Sequence, residues 1–171
     1  GGVVREGTDG GGRDGTRTCR GGRKTDARVV FDRALGGSQG NRTPVYYVQY
    51  EHARVCSVLR QLGERGLSWN RDNGFAHLAR LDSEHENALM RELVRYPEIV
   101  ETAATNLEPH LVAQYLRDLA NALHTYYHAH QFIVYDADLR DARLTLFVAA
   151  RQVLANGLVL LGGSAPAVLY W

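Results

Sequence analysis

Apolar residues recur at helical spacing along most of the chain from Pro44 onward. The first such stretch has apolar residues three, four or seven positions apart: Val45, Val48, Val55, Leu59 and Leu62. This spacing is typical of one face of an α-helix. Pro44 suits the first turn, because a residue without an N–H loses no intrahelical hydrogen bond there. The pattern predicts a helix from Pro44 to about Gly63.

Caps and prolines predict the helices that follow. Ser83 and Glu86 have the spacing of a capping box, and the helix that they open is stopped by Pro97. The predicted helices cover 83–96, 97–107, 109–130 and, from a cap at Asp136 or Asp138, the stretch up to Leu161. The stretch 63–82 is predicted as a loop with weak helical content at 75–81. The chain is therefore predicted to be all-α, a bundle of about five helices.

The N-terminal part has a different composition. Nine of the first 28 residues are glycine, with Arg and Thr scattered between them. So little apolar surface cannot offset the entropy lost on ordering the segment. We expect residues 1–28 to be disordered, 29–43 to be a connecting loop and 44–171 to form the helical domain.

The charge distribution limits the kinds of nucleic-acid binding that are possible. The net charge of +1 divides into +4 for residues 1–43 (nine Arg/Lys, five Asp/Glu) and −3 for 44–171 (eleven against fourteen). The helical part therefore does not resemble a basic binder driven by counterion release. If it binds nucleic acid, it must use a local site with stacking contacts.

Other features bear on the cellular compartment. No run of 18 apolar residues exists, which argues against a membrane span, and the N-terminus lacks the apolar centre of a signal peptide. Cys19 and Cys56 do not have a metal-ligand spacing. We expect a protein of the reducing cytoplasm, with no metal site.

The segment Pro44-Val-Tyr-Tyr-Val-Gln-Tyr-Glu-His-Ala-Arg54, continued to Arg60, carries a family resemblance. It resembles the first helix of the anticodon-binding domain of arginyl-tRNA synthetase, a class I aminoacyl-tRNA synthetase. The family pattern there is Pro-Val-Tyr-Tyr-Val-Gln-Tyr-Ala-His-Ala-Arg. Three more segments agree, as does a Ser-Ala-Pro triplet near the C-terminus: 85–98, 107–111, 151–158 and 164–166.

The resemblance implies a function for the chain. It would be the tRNA-binding, C-terminal fragment of a ligase that attaches arginine to tRNA(Arg) with ATP in translation. Residues 1–28 align as a degenerate remnant of the end of the catalytic domain. The Lys-Met-Ser-Lys-type loop and the His-containing ATP motif are absent, so we assign no catalytic residue and expect the chain alone to be inactive. ATP and Mg are expected only for the full-length enzyme. The expected partners are tRNA(Arg) and the missing catalytic domain, with no role for membrane or DNA.

Three residues of the first helix are the main candidates for tRNA contact. At 100° per residue, Tyr47, Tyr50 and Arg54 cluster on a face about 130° from the apolar stripe. Aromatic planes and a guanidinium are what an unstacked base requires. The alternative is that both tyrosines pack against a neighbouring helix and leave only their hydroxyls in water.

Five further residues complete the set of tRNA-binding candidates. Gln49 lies off both faces, where it could reach a base or solvent. The resemblance adds Gln39 and Asn41 in the preceding loop, and Arg143 and Arg151 on one side of the last helix. For the two arginines a solvated charge or a salt bridge is the alternative. His52, at the edge of the apolar stripe, is predicted to be a hydrogen-bonded core histidine.

Several other patterns favour plain structural roles. The glycines 10, 12 and 15 fit a dinucleotide-loop spacing but have no flanking strand and helix. His124, His128 and His130 suggest a metal, but no nearby carboxylate or cysteine completes a site, so they are predicted to mark a polar helix end. Cys56 is predicted to be a buried small hydrophobe. Two other functions are considered for the whole chain: a stand-alone helical protein-interaction module, or a non-functional remnant.

Overall fold

A computed structural model describes residues 44–169, and every regular element within that range is helical. The α-helices are α1 (Pro44–Glu64), α2 (Arg71–Ala76), α3 (Glu84–Val94), α4 (Tyr96–Thr105), α5 (His110–Ala129) and α6 (Ala137–Leu160), with a 3-10 turn at Leu78–Arg80. Five of the six have ten residues or more, so the predicted all-α bundle of about five helices is confirmed. The expectations for 1–28 and 29–43 lie outside the described residues.

The predicted caps begin α3 and α6. The Ser83 hydroxyl accepts the Glu86 N–H at 3.2 Å, and a Glu86 carboxylate oxygen accepts the Ser83 N–H at 3.0 Å. Before α6, the Asp136 carboxylate accepts the N–H groups of Asp138 and Leu139 at 3.1 and 3.3 Å. These bonds satisfy amides that have no intrahelical partner, which is why the two sequence signals located both helix starts correctly.

Helix α5 lies at the centre of the bundle. It packs against α1, α3, α4 and α6. Leu119, Ala120, Leu123 and Tyr126 are fully buried along it. The long helices therefore share one hydrophobic core, and a side chain on α5 can reach groups on four neighbours.

Helix α6 is the one helix of residues 44–169 that is long and apolar enough to cross a membrane, with a mean hydropathy of 1.3. Its most apolar window is 44% buried inside the bundle. Leu144, Phe147, Ala150 and Leu154 are each 0% exposed. Core packing therefore accounts for the hydropathy of α6.

The stretch between α1 and α3 contains more helix than predicted. Weak helical content was expected at 75–81, whereas α2 begins at Arg71. Side chains from this stretch anchor it to α6: Trp69 donates its indole N–H to the Thr145 hydroxyl at 3.0 Å, and Asn73 donates to the Asp141 carboxylate at 2.8 Å. These long-range bonds are not visible in local sequence patterns.

Candidate nucleic-acid interface

The apolar face of α1 points into the core as predicted. Val48, Val55 and Leu62 are 0–2% exposed, and Leu59 is partly buried against the same cluster. Away from this face, Arg54 contacts Tyr127 of α5. Tyr47 packs against the core, with its ring centroid 6.2 Å from that of His124 on α5, and it does not line the cleft described below. The candidate interface is therefore built where α1 and α5 meet.

The guanidinium of Arg54 contacts two tyrosine rings. Its Cζ atom is 4.7 Å from the ring centroid of Tyr50 and 4.5 Å from that of Tyr127 on α5. One guanidinium nitrogen also donates to the Tyr50 hydroxyl at 2.9 Å. Cation–π contacts of this kind hold a planar cation flat against aromatic faces. The sequence prediction that Tyr50 and Arg54 share a face is confirmed, and Tyr127 is added to them.

The buried carboxylate of Glu51 pairs with Arg54. Glu51 is 0% exposed, and its two oxygens lie 3.2 Å from Nη1 of Arg54 and 2.8 Å from Nδ1 of His124. The same His124 nitrogen is 2.9 Å from Nη1 of Arg54. Burial raises the pKa of Glu51, while the hydrogen bond with His124 and the charge of Arg54 oppose the rise. Burial and the nearby Glu51 also raise the pKa of the Tyr47 hydroxyl.

An open cleft adjoins these residues. It has a volume of about 300 Å³, at the lower end of the range for ligand sites. We call it the Arg54 cleft, and its lining residues are Tyr50, Ala53, Arg54, Ser57, Arg60, Tyr127 and 167–169. Aromatic rings, two guanidinium groups and a hydroxyl are the groups that stack on a base and bond its edge or phosphate.

A second cleft lies beside the first and shares Tyr127 with it. Its volume is about 430 Å³. Its polar lining comes from Gln61 on α1, from Arg65 directly after α1, and from His128, His130 and Gln131 at and just after the end of α5. Tyr127 therefore forms a wall between two polar recesses.

The C-terminal segment borders the Arg54 cleft because α1 holds it in place. The Gln49 side-chain amide donates to the Ser164 carbonyl oxygen at 3.0 Å and to its hydroxyl at 3.3 Å. Nδ1 of His52 donates to the Pro166 carbonyl oxygen at 2.9 Å. Burial lowers the pKa of His52, and the bond to Pro166 opposes this. His52 is thus the predicted hydrogen-bonded core histidine.

The placement of Gln49 differs from the expectation. The helical wheel put its side chain off both faces, whereas it is 4% exposed. A segment 115 residues away in the sequence covers it, and no local pattern shows such a contact. In this arrangement Gln49 supports the C-terminal wall of the cleft.

Comparison with known proteins identifies the family of the chain. Residues 48–169 match the family model described as the DALR anticodon binding domain. The chain belongs to this DALR family. The match covers α1 to α6 apart from the first turn of α1, and so includes both clefts.

Relatives of this DALR domain are arginine–tRNA ligases. The chain is 55% identical over 164 residues to arginine–tRNA ligase of Halorhodospira halophila, covering 96% of this chain and 28% of that protein. The ligase of Legionella pneumophila (strain Corby) is 50% identical over 155 residues, covering 91% and 26%. The chain thus spans about a quarter of the length of the curated relatives that it matches.

Solved structures show the same fold. Thermus thermophilus arginyl-tRNA synthetase superposes with a TM-score of 0.73 at 31% identity, covering 93% of this chain and 26% of that one. Arginyl-tRNA synthetase of Plasmodium falciparum superposes with a TM-score of 0.69 at 20% identity, covering 91% and 26%. The second likeness concerns the fold alone.

Arg143 and Arg151, predicted on the last helix of the DALR domain, have partners outside the Arg54 cleft. Arg143 pairs with the buried Glu86 at 3.4 Å and donates to the Gln131 carbonyl oxygen at 2.8 Å. Arg151 is half-buried and lies 4.0 Å from the Cys56 sulfur. Neither arginine lines the Arg54 cleft. Gln39 and Asn41 lie outside the described residues, and contact of any of these side chains with tRNA stays a prediction.

Two expectations for other residues need correction. The sequence offered no carboxylate near His124, but the fold brings Glu51 to 2.8 Å from it. Within residues 44–169 no group of three or more potential ligands could hold a metal ion. Cys56 is partly exposed rather than buried.

The residues missed by sequence reasoning are contributed by α5 and by other positions of α1. Glu51, His124 and Tyr127 complete the surroundings of Arg54, and Ser57 and Arg60 extend the cleft. Glu51 and Arg54 have an i,i+3 spacing that indicates a pair on one helix. His124 and Tyr127 share a face of α5 for the same reason. No local signal brings the two faces together.

Proposed function

We propose that this DALR domain binds the anticodon loop of an arginine tRNA, with an anticodon base in the Arg54 cleft. The observation that supports this best is the contact of Arg54 with the rings of Tyr50 and Tyr127 at the wall of an open cleft. Unstacked bases are bound by such combinations of aromatic planes and guanidinium groups. The recess across Tyr127 offers polar groups for a neighbouring nucleotide.

The net charge of the domain favours binding at a local site over general electrostatic attraction to RNA. Residues 44–171 carry a net charge of −3, whereas the cleft itself presents Arg54 and Arg60. Binding should therefore depend on the bases of the loop more than on the length of the RNA. The other proposed contacts, from Tyr47, Gln39, Asn41, Arg143 and Arg151, would add to this central site.

In the longer protein the domain would serve aminoacylation. The relatives are named arginine–tRNA ligases, and we propose the same reaction, attachment of arginine to tRNA with ATP, for the protein of which this chain is a part. Gripping the anticodon would orient the tRNA for a distant catalytic domain. The chain alone is proposed to be inactive, with ATP and Mg bound only by the full-length enzyme. Pyrophosphate exchange above background by the 171-residue chain would contradict this.

The test is binding of the chain to an arginine tRNA and to the same tRNA with its central anticodon base changed. At about 0.15 M salt, the wild type should prefer the unchanged tRNA. Tyr50→Ala removes a stacking partner and should weaken binding by roughly 1–3 kcal/mol, or roughly 5- to 150-fold. The preference between the two tRNAs should be lost with it.

Tyr135→Ala is the matched control. Tyr135 is fully exposed and lines neither cleft, so its loss should leave both affinities unchanged. Equal binding of the wild type to both tRNAs, or wild-type behaviour of Tyr50→Ala, would contradict the proposed function and favour a protein-interaction module or a remnant.

A further inference from the structure

Glu51 is an unusual residue for its position. It is a carboxylate that is fully buried, and glutamate is among the residue types that are least often buried completely. Burying a carboxylate is costly unless it is paired and hydrogen-bonded. Its partners are Arg54, which lines the Arg54 cleft, and His124, which contacts Arg54.

The contacts of Glu51 restrain Arg54 from one side. One guanidinium nitrogen of Arg54 donates to Glu51, another donates to Tyr50, and the Cζ atom lies 4.7 and 4.5 Å from the ring centroids of Tyr50 and Tyr127. Only 12% of the Arg54 side chain is exposed. An arginine side chain otherwise loses considerable rotamer freedom when it binds a ligand, and prior restraint removes part of that loss.

His124 fixes the carboxylate in turn. Its Nδ1 lies 2.8 Å from the Glu51 oxygen that does not face Arg54. The His124 ring also packs against the ring of His128, with centroids 4.4 Å apart. Thus α5 supplies both an aromatic cover for Arg54, through Tyr127, and a restraint on its counter-ion.

We propose that Glu51, fixed by His124, is a positioning residue that holds Arg54 in the cleft in the geometry that binds the anticodon base. The inference rests on the proposed function of the cleft, since Arg54 is the group that would touch the RNA. Glu51 acts only through Arg54. Its removal should free the guanidinium, weaken binding of the arginine tRNA by about 3- to 10-fold and reduce the preference for the unchanged anticodon base.

The experiment compares wild type, Glu51→Gln and Glu51→Ala in the full 171-residue chain. Glutamine keeps the shape and removes the charge, and alanine removes the side chain beyond Cβ. Asp141→Asn is the matched control, because Asp141 is a buried carboxylate that bonds Asn70 and Asn73 instead. Circular dichroism establishes that each variant is folded.

Two readouts separate positioning from general structural support. The first is the NMR signal of the Arg54 side-chain Nε–H in the free protein, which reports whether the guanidinium is held or moves freely. The second is the dissociation constant for the arginine tRNA with its own or a changed central anticodon base. Glu51→Gln and Glu51→Ala should mobilise Arg54 and weaken discrimination, whereas Asp141→Asn should alter neither.

Either readout can overturn the proposal. An Arg54 signal that stays restrained without the Glu51 charge would show that Glu51 does not hold the group. A freed Arg54 with undiminished affinity and discrimination would show that the restraint has no role in binding. If the wild type binds neither tRNA, the proposed function fails, and the Arg54 signal alone decides whether Glu51 positions it.

Discussion

The two buried glutamates of residues 44–169 show how local partners set the state of a side chain. Glu86 is 2% exposed and Glu51 is 0% exposed. Burial works to raise the pKa of Glu86, but bonds from Ser83 and Tyr126 outweigh it, so the pKa is lowered. For Glu51 burial outweighs the partners, and its pKa is raised. A capping box thus stabilises one carboxylate, whereas the charge of Glu51 costs stability.

This difference predicts opposite pH dependences of stability. A carboxyl whose pKa is raised by folding binds more protons in the folded state than in the unfolded state. Its stabilising contribution to the free energy of unfolding is therefore fully present below the ordinary pKa of 4.5 and is lost as the pH rises through the folded pKa. The free energy of unfolding of wild type relative to Glu51→Gln should therefore fall as the pH rises from 4.5 toward neutrality. Urea unfolding at a series of pH values measures this.

Glu86→Gln is the control of opposite sign. Because folding lowers the pKa of Glu86, its stabilising contribution to the free energy of unfolding is present above pH 4.5. That contribution is lost as the pH falls from 4.5 through the folded pKa. The difference between wild type and Glu86→Gln should be flat from about pH 5.5 upward. A Glu51→Gln difference that is equally flat would contradict the raised pKa of Glu51.

At the scale of elements, helix α2 is stabilised by packing against α6. Six residues are too few for a helix that is stable by itself in water. Gly74 makes the close approach possible: a Cβ there would meet the Thr145 hydroxyl and would lie 2.6 Å from the Asp141 carbonyl oxygen. The apolar pattern of α2 is weak because this helix packs on α6 through polar hydrogen bonds and the contact at Gly74.

Gly74→Ala should destabilise the protein by about 1–3 kcal/mol, the usual cost of overpacking, because the backbone of α6 cannot move aside as a flexible side chain can. Gly63→Ala is the matched control. Gly63 lies in α1 with nothing within 4 Å of its would-be Cβ, so alanine should stabilise the helix by up to about 1 kcal/mol. Chemical denaturation of both variants tests the pair. Equal effects would mean that α2 does not pack closely on α6.

At the scale of the whole molecule, one core joins the long helices through α5. Its buried side chains contact helices from both ends of the described sequence. The candidate interface is a product of this arrangement, because α1 supplies Tyr50 and Arg54, α5 supplies His124 and Tyr127, and the C-terminal segment closes one side. The interface should therefore form and be lost together with the core.

A single core predicts a single unfolding transition. Leu119→Ala, at a fully buried position of α5, should cost about 2–5 kcal/mol. Val94→Ala, at a position that is 79% exposed, should change stability by less than about 0.5 kcal/mol. Far-UV circular dichroism and an NMR signal of His124 should follow the same denaturation curve. Loss of the His124 signal before the helices unfold would show that the interface is not coupled to the core.

The sequence by itself determined the helical class, most helix boundaries and the face of α1 that carries Tyr50 and Arg54. Those features depend on spacing, caps and prolines, which act within a few residues. Only the tertiary structure decided that Glu51 and His124 form a buried pair, that Tyr127 covers Arg54 and that Gln49 is covered by the C-terminal segment. These contacts join residues about 70 to 115 positions apart. Such pairings follow from how the helices pack, because a local pattern specifies which face of a helix is polar but not which face it meets.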